Sequence, residues 1–85
     1  MRSDNRSVYI LRSLNDPERH YVGSTSDVTM RLGFHNAGLS PHTAKYRPWE
    51  LVVGLEFATE ATALRFEKYL NKTGSGRAFA KRHFA

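Results

Sequence analysis

The stretch VYILRSLNDPERHYVG, residues 8–23, decides the fold because it predicts a β-hairpin at the start of the chain. Val8 to Leu14 is rich in residues that favour strands, and His20 to Ser24 supplies the second strand. Between them, residues 15–18 (NDPE) have turn chemistry, because the proline fixes its own φ and donates no hydrogen bond to a ladder. Gly23 near the end of the second strand predicts a bend or a close approach of the backbone.

The rest of the chain predicts helices around a third strand. The predicted elements are a helix over 27–37, a loop over 39–48, a strand over 49–58, a helix from 59 to about 72, a break over 73–76 and a helix over 77–84. Ser26 and Thr59 are expected to cap the first two helices, and Gly38 to end the first. The third strand is apolar enough to be expected at the centre of the sheet. The order β-β-α-β-α-α predicts an α+β fold with a small sheet covered by helices.

Length and composition predict one folded domain over residues 1–85, with residues 1–7 as a flexible N-terminus. Hydrophobic residues make up 40% and charged residues 25%, as in ordinary globular domains. The chain has no cysteine, which excludes disulfides, a thiol nucleophile and cysteine-ligated metals. No apolar run approaches the roughly 20 residues that a membrane span needs, and the polar N-terminus does not resemble a signal peptide. A cytoplasmic protein without membrane contact is expected.

The charge balance favours a nucleic-acid partner. Thirteen Lys and Arg residues against eight Asp and Glu give a net charge of +5 and a pI near 10. Five basic side chains in the loop and the terminal helix are expected to contact phosphates without reading bases. They are Lys45, Arg47, Arg77, Lys81 and Arg82. The alternative is that these charges only keep the surface solvated.

Glu67 is a carboxylate on the apolar side of the second predicted main helix. It lies three residues from Leu64 and Leu70 and four from Ala63, so it shares their face. A carboxylate there must pair with a base, bind a metal or accept a large desolvation penalty. Magnesium often takes only one or two protein carboxylates, together with water and substrate phosphate. An arginine-paired Glu67 and a metal-bound Glu67 both fit this pattern.

Arg31 and His35 form a similar anomaly on the first predicted helix. They are four residues apart and flank the apolar positions Val28 and Leu32 on one side. An arginine fork binds phosphate bidentately, and a histidine can move a proton near neutral pH. The alternative is an arginine whose stem lies along apolar surface and a histidine exposed to solvent.

The hairpin tyrosines, Tyr9 and Tyr21, also allow two interpretations. Both could be strand residues that pack in the core. A phenol with its ordinary pKa near 10 is a poor base at neutral pH. A catalytic role therefore requires that His35, Arg31 or a metal-bound water makes the phenolic proton labile.

Two tripeptides link these observations to a known family. Val8-Tyr9-Ile10 and Tyr21-Val22-Gly23 resemble the paired tripeptides that name the GIY-YIG nuclease superfamily. Valine replaces glycine in the first tripeptide and isoleucine in the second. The resemblance extends over about residues 8–84 and is closest to small single-domain bacterial proteins related to the nuclease module of UvrC. The same module resembles the catalytic domain of eukaryotic structure-specific endonucleases.

The other landmarks of the family follow in the same order. Arg31 and His35 match residues of its first helix, and Glu67 stands at the metal-binding position. Many members have an asparagine about a dozen residues after that glutamate, where this chain has Phe79. Asn71 lies much nearer to Glu67 and is not assigned that role.

The resemblance implies a three-stranded antiparallel sheet flanked by helices, and a DNA endonuclease of repair or recombination that uses Mg²⁺ or Mn²⁺. Glu67 would hold the metal, and Arg31 would neutralise charge on the phosphate. Tyr9 or Tyr21 would take the proton from water, with His35 as relay or direct base. DNA is the expected partner of a monomer or weak homodimer, without a membrane or a small-molecule cofactor.

Two other functions are compatible with the same residues. One is a nucleic-acid-binding module that keeps the site but no longer cuts. The other is an assembly subunit that recruits a nuclease through exposed aromatic and basic surface. A nicking assay with a metal titration separates the enzyme from both alternatives.

Overall fold

The computed structural model describes residues 5–72 and 75–84 and contains a three-stranded antiparallel sheet. Its strands are β1 (Arg6–Ser13), β2 (His20–Thr25) and β3 (Trp49–Phe57). The strand order is β2-β1-β3, so β1 is central and pairs with both neighbours. Tyr9 in the middle of β1 lies opposite Gly23 of β2 and Gly54 of β3.

Helices cover the sheet. Those within the described ranges are α1 (Val28–Asn36), α2 (Pro41–Ala44), α3 (Glu60–Lys72) and α4 (Ser75–Phe84). The side chain of Asp27 accepts the Met30 N–H and caps α1, and Gly38 follows with a φ of 78° that suits glycine. Thr59 caps α3 by accepting the Thr62 N–H. No helix in this part of the chain is long and apolar enough to cross a membrane.

Successive side chains of β1 point to opposite faces of the sheet and build two separate cores. Val8 and Ile10 pack with Val22 and with buried residues of α3 and α4. Tyr9 and Leu11 face the other way and pack with Trp49 and with partly buried residues of α1 and the loop before β3. The functional candidates on β1 and α1 therefore share the second core.

The observed fold confirms the predicted α+β class and its three-stranded antiparallel sheet. The expectation that the third strand is central was wrong, because β1 takes that place and buries both of its faces. The predicted 39–48 loop contains the short helix α2, in which Pro41 supplies the fixed φ of a first helical position. The predicted Ser26 cap was also wrong, since Asp27 makes the capping bond.

Differences at the two ends of the chain are smaller. Arg6 and Ser7 pair in β1, so the flexible N-terminus predicted for residues 1–7 is contradicted there. Residues 1–4 and the first half of the predicted break, at 73–74, lie outside the described residues. Ser75 and Gly76 belong to α4, which therefore begins before the predicted Arg77.

Leu70 and Leu64 offer a matched test of which side of α3 meets the sheet. Leu70 is fully buried, whereas Leu64 is 43% exposed. We expect Leu70→Ala to lower the free energy of unfolding by about 2–5 kcal/mol, because it removes buried methyl groups and leaves a cavity. Leu64→Ala should cost well under half as much in the same denaturant titration. Equal losses for the two variants would contradict this orientation of α3.

Candidate active site

Three polar side chains form a hydrogen-bonded line through the second core. The Tyr9 hydroxyl lies 2.9 Å from Nε2 of His35, and Nδ1 of the same ring lies 2.8 Å from Oγ1 of Thr43. All three residues are buried. Both ring nitrogens of His35 are therefore used, and the imidazole is held between β1 and α2.

The neighbouring residues fix this imidazole in place. The side-chain amide of Asn36 receives the Trp49 N–H at 2.6 Å and donates to the Trp49 carbonyl at 3.0 Å. The indole N–H of Trp49 in turn donates to the Thr43 carbonyl at 2.9 Å. The end of α1, the helix α2 and the start of β3 are thereby joined around His35. The histidine predicted as a surface or relay residue is a buried, fully bonded one.

Arg31 sits beside the Tyr9–His35 pair. Its guanidinium lies 4.3 Å from the centre of the Phe34 ring, and it acts on Tyr9 by lowering the pKa of that phenol. No carboxylate in residues 5–72 and 75–84 forms an ion pair with it. Burial, followed by the charge of Arg31, lowers the pKa of His35 below its ordinary value of 6.5. The imidazole is therefore neutral at pH 7, and the positive charge stays on Arg31.

The two tyrosines have different surroundings. Burial raises the pKa of Tyr9, helped by the nearby Tyr21 and Glu67 and opposed by the hydrogen bond and charge of Arg31. Tyr21 is half-buried, with its ring 4.8 Å from the His35 ring and 6.2 Å from the Tyr9 ring. Its hydroxyl has no hydrogen bond within the described part of the chain. Tyr9 is thus the anchored phenol and Tyr21 the unbonded one.

Glu67, the predicted metal ligand, lies on α3. It is half-buried, and its charge acts on the Tyr9 hydroxyl. Among the described residues it has neither a hydrogen bond nor an ion pair, so the arginine-paired alternative finds no support there. No group of three or more His, Cys, Asp or Glu side chains in those residues could hold a metal. The assignment of Glu67 as a metal ligand therefore stays a prediction.

Gly23 makes room for the Tyr9 hydroxyl. A Cβ at this position would lie 2.5 Å from the Tyr9 oxygen and 3.1 Å from the Tyr21 ring. Both contacts are shorter than van der Waals packing allows, and the Tyr9 ring is buried in the sheet. The glycine predicted to permit a close approach therefore does so toward a side chain of the neighbouring strand.

The five predicted phosphate-binding residues fall into two groups. Arg77 and Lys81 both bind Glu18 in the β1–β2 turn, with an Arg77 Nε–Oε1 distance of 2.9 Å and Lys81 Nζ 3.0 Å from both oxygens. These bonds lower the pKa of the Glu18 carboxyl to about 2. Lys45, Arg47 and Arg82 are exposed and have no acidic partner within the described ranges. Only the second group offers unpaired charge.

Thr43 and Asn36 are the site residues that sequence reasoning missed. Thr43 lies in the predicted loop, and no residue pattern pairs it with His35 eight positions earlier. Phe79, which stands where the resemblance predicts an asparagine, packs its ring 5.8 Å from Phe66 in the other core. The structure thus gives Phe79 a packing role.

The fold and the cluster define a small α+β domain with a site of two tyrosines, an arginine, a histidine and one glutamate. Residues 5–78 match the GIY-YIG catalytic domain, and the chain belongs to this family. The predicted resemblance is confirmed.

Curated relatives and a solved structure agree with this assignment. The chain is 41% identical over 70 residues to structure-specific endonuclease subunit SLX1 of Candida dubliniensis, an alignment covering 74% of this chain and 24% of that protein. It is 40% identical over 80 residues to the SLX1 subunit of Malassezia globosa, covering 88% of this chain and 18% of the relative. The chain therefore spans about a quarter or less of the length of these relatives. The solution structure of UPF0213 protein BH0048 from Bacillus halodurans aligns with a TM-score of 0.58 and 25% identity, over 95% of this chain and 87% of that one.

Gly23→Ala and Gly33→Ala test the space around Tyr9. The first places a methyl group against the Tyr9 oxygen, and the second meets nothing within 4 Å. We expect Gly23→Ala to displace the Tyr9 hydroxyl from His35, seen as large chemical-shift changes of both rings. Gly33→Ala should leave these shifts unchanged and stabilise α1 by up to about 1 kcal/mol. A Gly23→Ala protein with the unperturbed Tyr9 and His35 spectrum would refute the close approach.

Proposed function

We propose that this protein is a metal-dependent endonuclease that hydrolyses phosphodiester bonds of DNA, with its active site at the Tyr9 hydroxyl. The observation that carries the proposal is a buried Tyr9 hydroxyl bonded to a neutral imidazole, beside a second phenol and under the charges of the Arg31 guanidinium and the Glu67 carboxylate. Such a set can bind a phosphate, move a proton and hold a cation. Membership of the GIY-YIG family and the endonuclease names of the relatives support the same reaction.

Glu67 fits a hard divalent cation. A half-buried carboxylate that lacks a basic partner among the described residues carries an uncompensated charge, which a cation would neutralise. Mg²⁺ or Mn²⁺ is the matching ion, because oxygen ligands suit both, and Mg²⁺ is commonly held by one or two carboxylates plus water and phosphate. When bound, such an ion would polarise the phosphate and stabilise the leaving oxygen.

Arg31 binds the scissile phosphate in this proposal. Its guanidinium has no carboxylate partner in the described residues, and its packing on Phe34 limits its freedom. A planar fork of donors held in place is suited to charge that develops on phosphate oxygens. Arg31 also lowers the pKa of Tyr9, so the same charge acts on the phosphate and on the proton-transfer group.

Proton transfer falls to the tyrosines and His35. The attacking water must lose a proton, and the two phenols and the imidazole are the groups of this cluster that can accept one. The raised pKa of Tyr9 leaves little phenolate at neutral pH, so cleavage should accelerate as the solution becomes alkaline. Because the pKa of His35 is lowered, any change in cleavage rate that comes from protonation of the imidazole should occur below the ordinary value of 6.5.

DNA with branches or flaps is the proposed substrate class. The relatives are named structure-specific endonuclease subunits, and the basic surface suits phosphate backbones. Lys45, Arg47 and Arg82 are the side chains proposed to contact phosphates, since Glu18 already neutralises Arg77 and Lys81. Repair or recombination is the corresponding cellular role. A monomer or a weak homodimer remains the proposed state.

Glu67→Gln tests the proposed metal ligand, with Glu60→Gln of the exposed first turn of the same helix as its control. We expect Glu67→Gln to abolish cleavage of a branched or flapped DNA in Mg²⁺, because the amide carries no charge for the cation. Folding and DNA binding should persist, as judged by thermal melts and by binding in the absence of metal. Glu60→Gln should cut like the parent. Cleavage by Glu67→Gln at the parent rate would remove the metal assignment, and unfolding would favour a structural role.

Arg47→Ala and Arg77→Ala test the two groups of basic residues. The logarithm of the DNA association constant should fall linearly with the logarithm of the salt concentration. Arg47→Ala should reduce the slope by about 0.9, the value for one lost phosphate contact on duplex DNA. Arg77→Ala should change it less, because Glu18 already neutralises that charge. Binding that does not vary with salt would contradict the proposed phosphate contacts.

A further inference from the structure

The hydrogen-bonded line from Thr43 through His35 to Tyr9 carries more polar protons than it has hydrogen bonds. The Thr43 hydroxyl, the neutral imidazole and the Tyr9 hydroxyl each carry one proton, but only two hydrogen bonds join them. One hydroxyl proton must therefore point away from the line. If the unused proton is that of Thr43, the His35 ring donates from Nδ1 to the Thr43 oxygen. If the unused proton is that of Tyr9, the ring donates from Nε2 to the Tyr9 oxygen.

The Thr43 end of the line is closed. Thr43 is 1% exposed, and its carbonyl already accepts the indole N–H of Trp49. Within the described residues, its Oγ1 has no hydrogen-bond partner besides Nδ1 of His35. A hydroxyl proton turned away from the ring would be buried without an acceptor, which is costly. The favourable arrangement is therefore the one in which the Thr43 hydroxyl donates to Nδ1 of His35.

The Tyr9 end of the line meets the reaction site. Tyr9 is itself 1% exposed, but its ring lies beside the half-buried Tyr21, and its pKa responds to the charges of the half-buried Arg31 and Glu67. A guanidinium has only donors, so Arg31 cannot accept the Tyr9 proton. Water or a substrate oxygen at the site can accept the proton that leaves this end.

We propose that Thr43 is a positioning residue: its hydroxyl donates to Nδ1 of His35 and holds the ring as the Nε2–H tautomer, which donates to the Tyr9 oxygen. The Tyr9 proton then points into the site. Its role in the reaction rests on the proposed nuclease function. In that arrangement the N–H of His35 stabilises negative charge on the Tyr9 oxygen, so His35 is a donor to Tyr9 and not the base.

The tautomer can be read directly from the ring nitrogens. The experiment uses the full chain with ¹⁵N-labelled histidine, without metal or DNA, and records two-bond proton–nitrogen correlations at neutral pH. We expect His35 to carry its proton on Nε2, with Nδ1 bare. A proton on Nδ1 would overturn the proposal.

Thr43→Val and Thr43→Ser separate the hydroxyl from the shape of the side chain. Thr43→Val keeps the shape and removes the donor, so the His35 signals should move to positions averaged between the two tautomers. Thr43→Ser keeps the hydroxyl and should restore the parent signals. Parent signals in Thr43→Val would show that Thr43 does not set the tautomer. If Thr43→Val does not fold, the parent and Thr43→Ser spectra decide the question.

Cleavage assays add a second readout. Single-turnover cleavage should fall on the order of tenfold in Thr43→Val, the size of effect found when a partner that orients a working imidazole is lost. Thr43→Ser should cut within about twofold of the parent, since it supplies the same donor. Cleavage by Thr43→Val at the parent rate would overturn the proposed role of Thr43 in catalysis. A parent protein with the expected tautomer that cuts no DNA would refute the proposed function and leave the hydrogen-bond assignment intact.

Discussion

The central position of β1 is the constraint on which the rest of the structure depends. A strand paired on both edges and covered on both faces must bury every side chain along its middle, and Val8 to Leu11 are all 1% exposed or less. Alternation then sends Tyr9 to the α1 side and its neighbours to the α3 and α4 side. A phenol in such a place needs a polar partner, and His35 supplies it.

The site is built from parts that are far apart in the chain but are held by short contacts. Asn36 and Trp49 join the end of α1 to the start of β3, and Trp49 joins β3 to α2. His35 therefore has little freedom to turn, although it stands near the end of a short helix. Gly23 completes the arrangement from the edge strand by leaving space above Tyr9. Precise placement of this kind is what proton transfer and phosphate binding require.

Much of the fold followed from local patterns, because strands and helices declare themselves through periodicity and caps. The hairpin, α1, β3 and α3 were predicted within a few residues, as was the closeness of approach at Gly23. The strand order was not predicted correctly, because both β1 and β3 are apolar runs and composition alone does not say which strand is paired on both edges. The VYIL run without a polar residue was the available signal for burial on both faces.

The candidate site residues were predicted only where helical spacing or the paired tripeptides singled them out. Tyr9, Tyr21 and His35 lie against one another, and the charges of Arg31 and Glu67 act on Tyr9, while the catalytic roles of all five stay predictions. Thr43 was invisible because its role depends on how a loop folds back onto a helix. The pairing of Arg77 and Lys81 with Glu18 was equally hidden, since these residues are about sixty positions apart. Charge counts from sequence treat such residues as free when tertiary contacts have already neutralised them.

The Glu18 ion pairs have a consequence for every measurement made at varied ionic strength. They tie the turn between β1 and β2 to α4, and they are exposed to solvent, so dissolved ions screen them. Because the carboxyl has a pKa of about 2, it stays charged across the working pH range and does not release α4 by protonation. Added salt would thus act at two places at once, on the proposed DNA contacts and on the anchoring of the last helix. A salt titration of activity in this protein reports the sum of both.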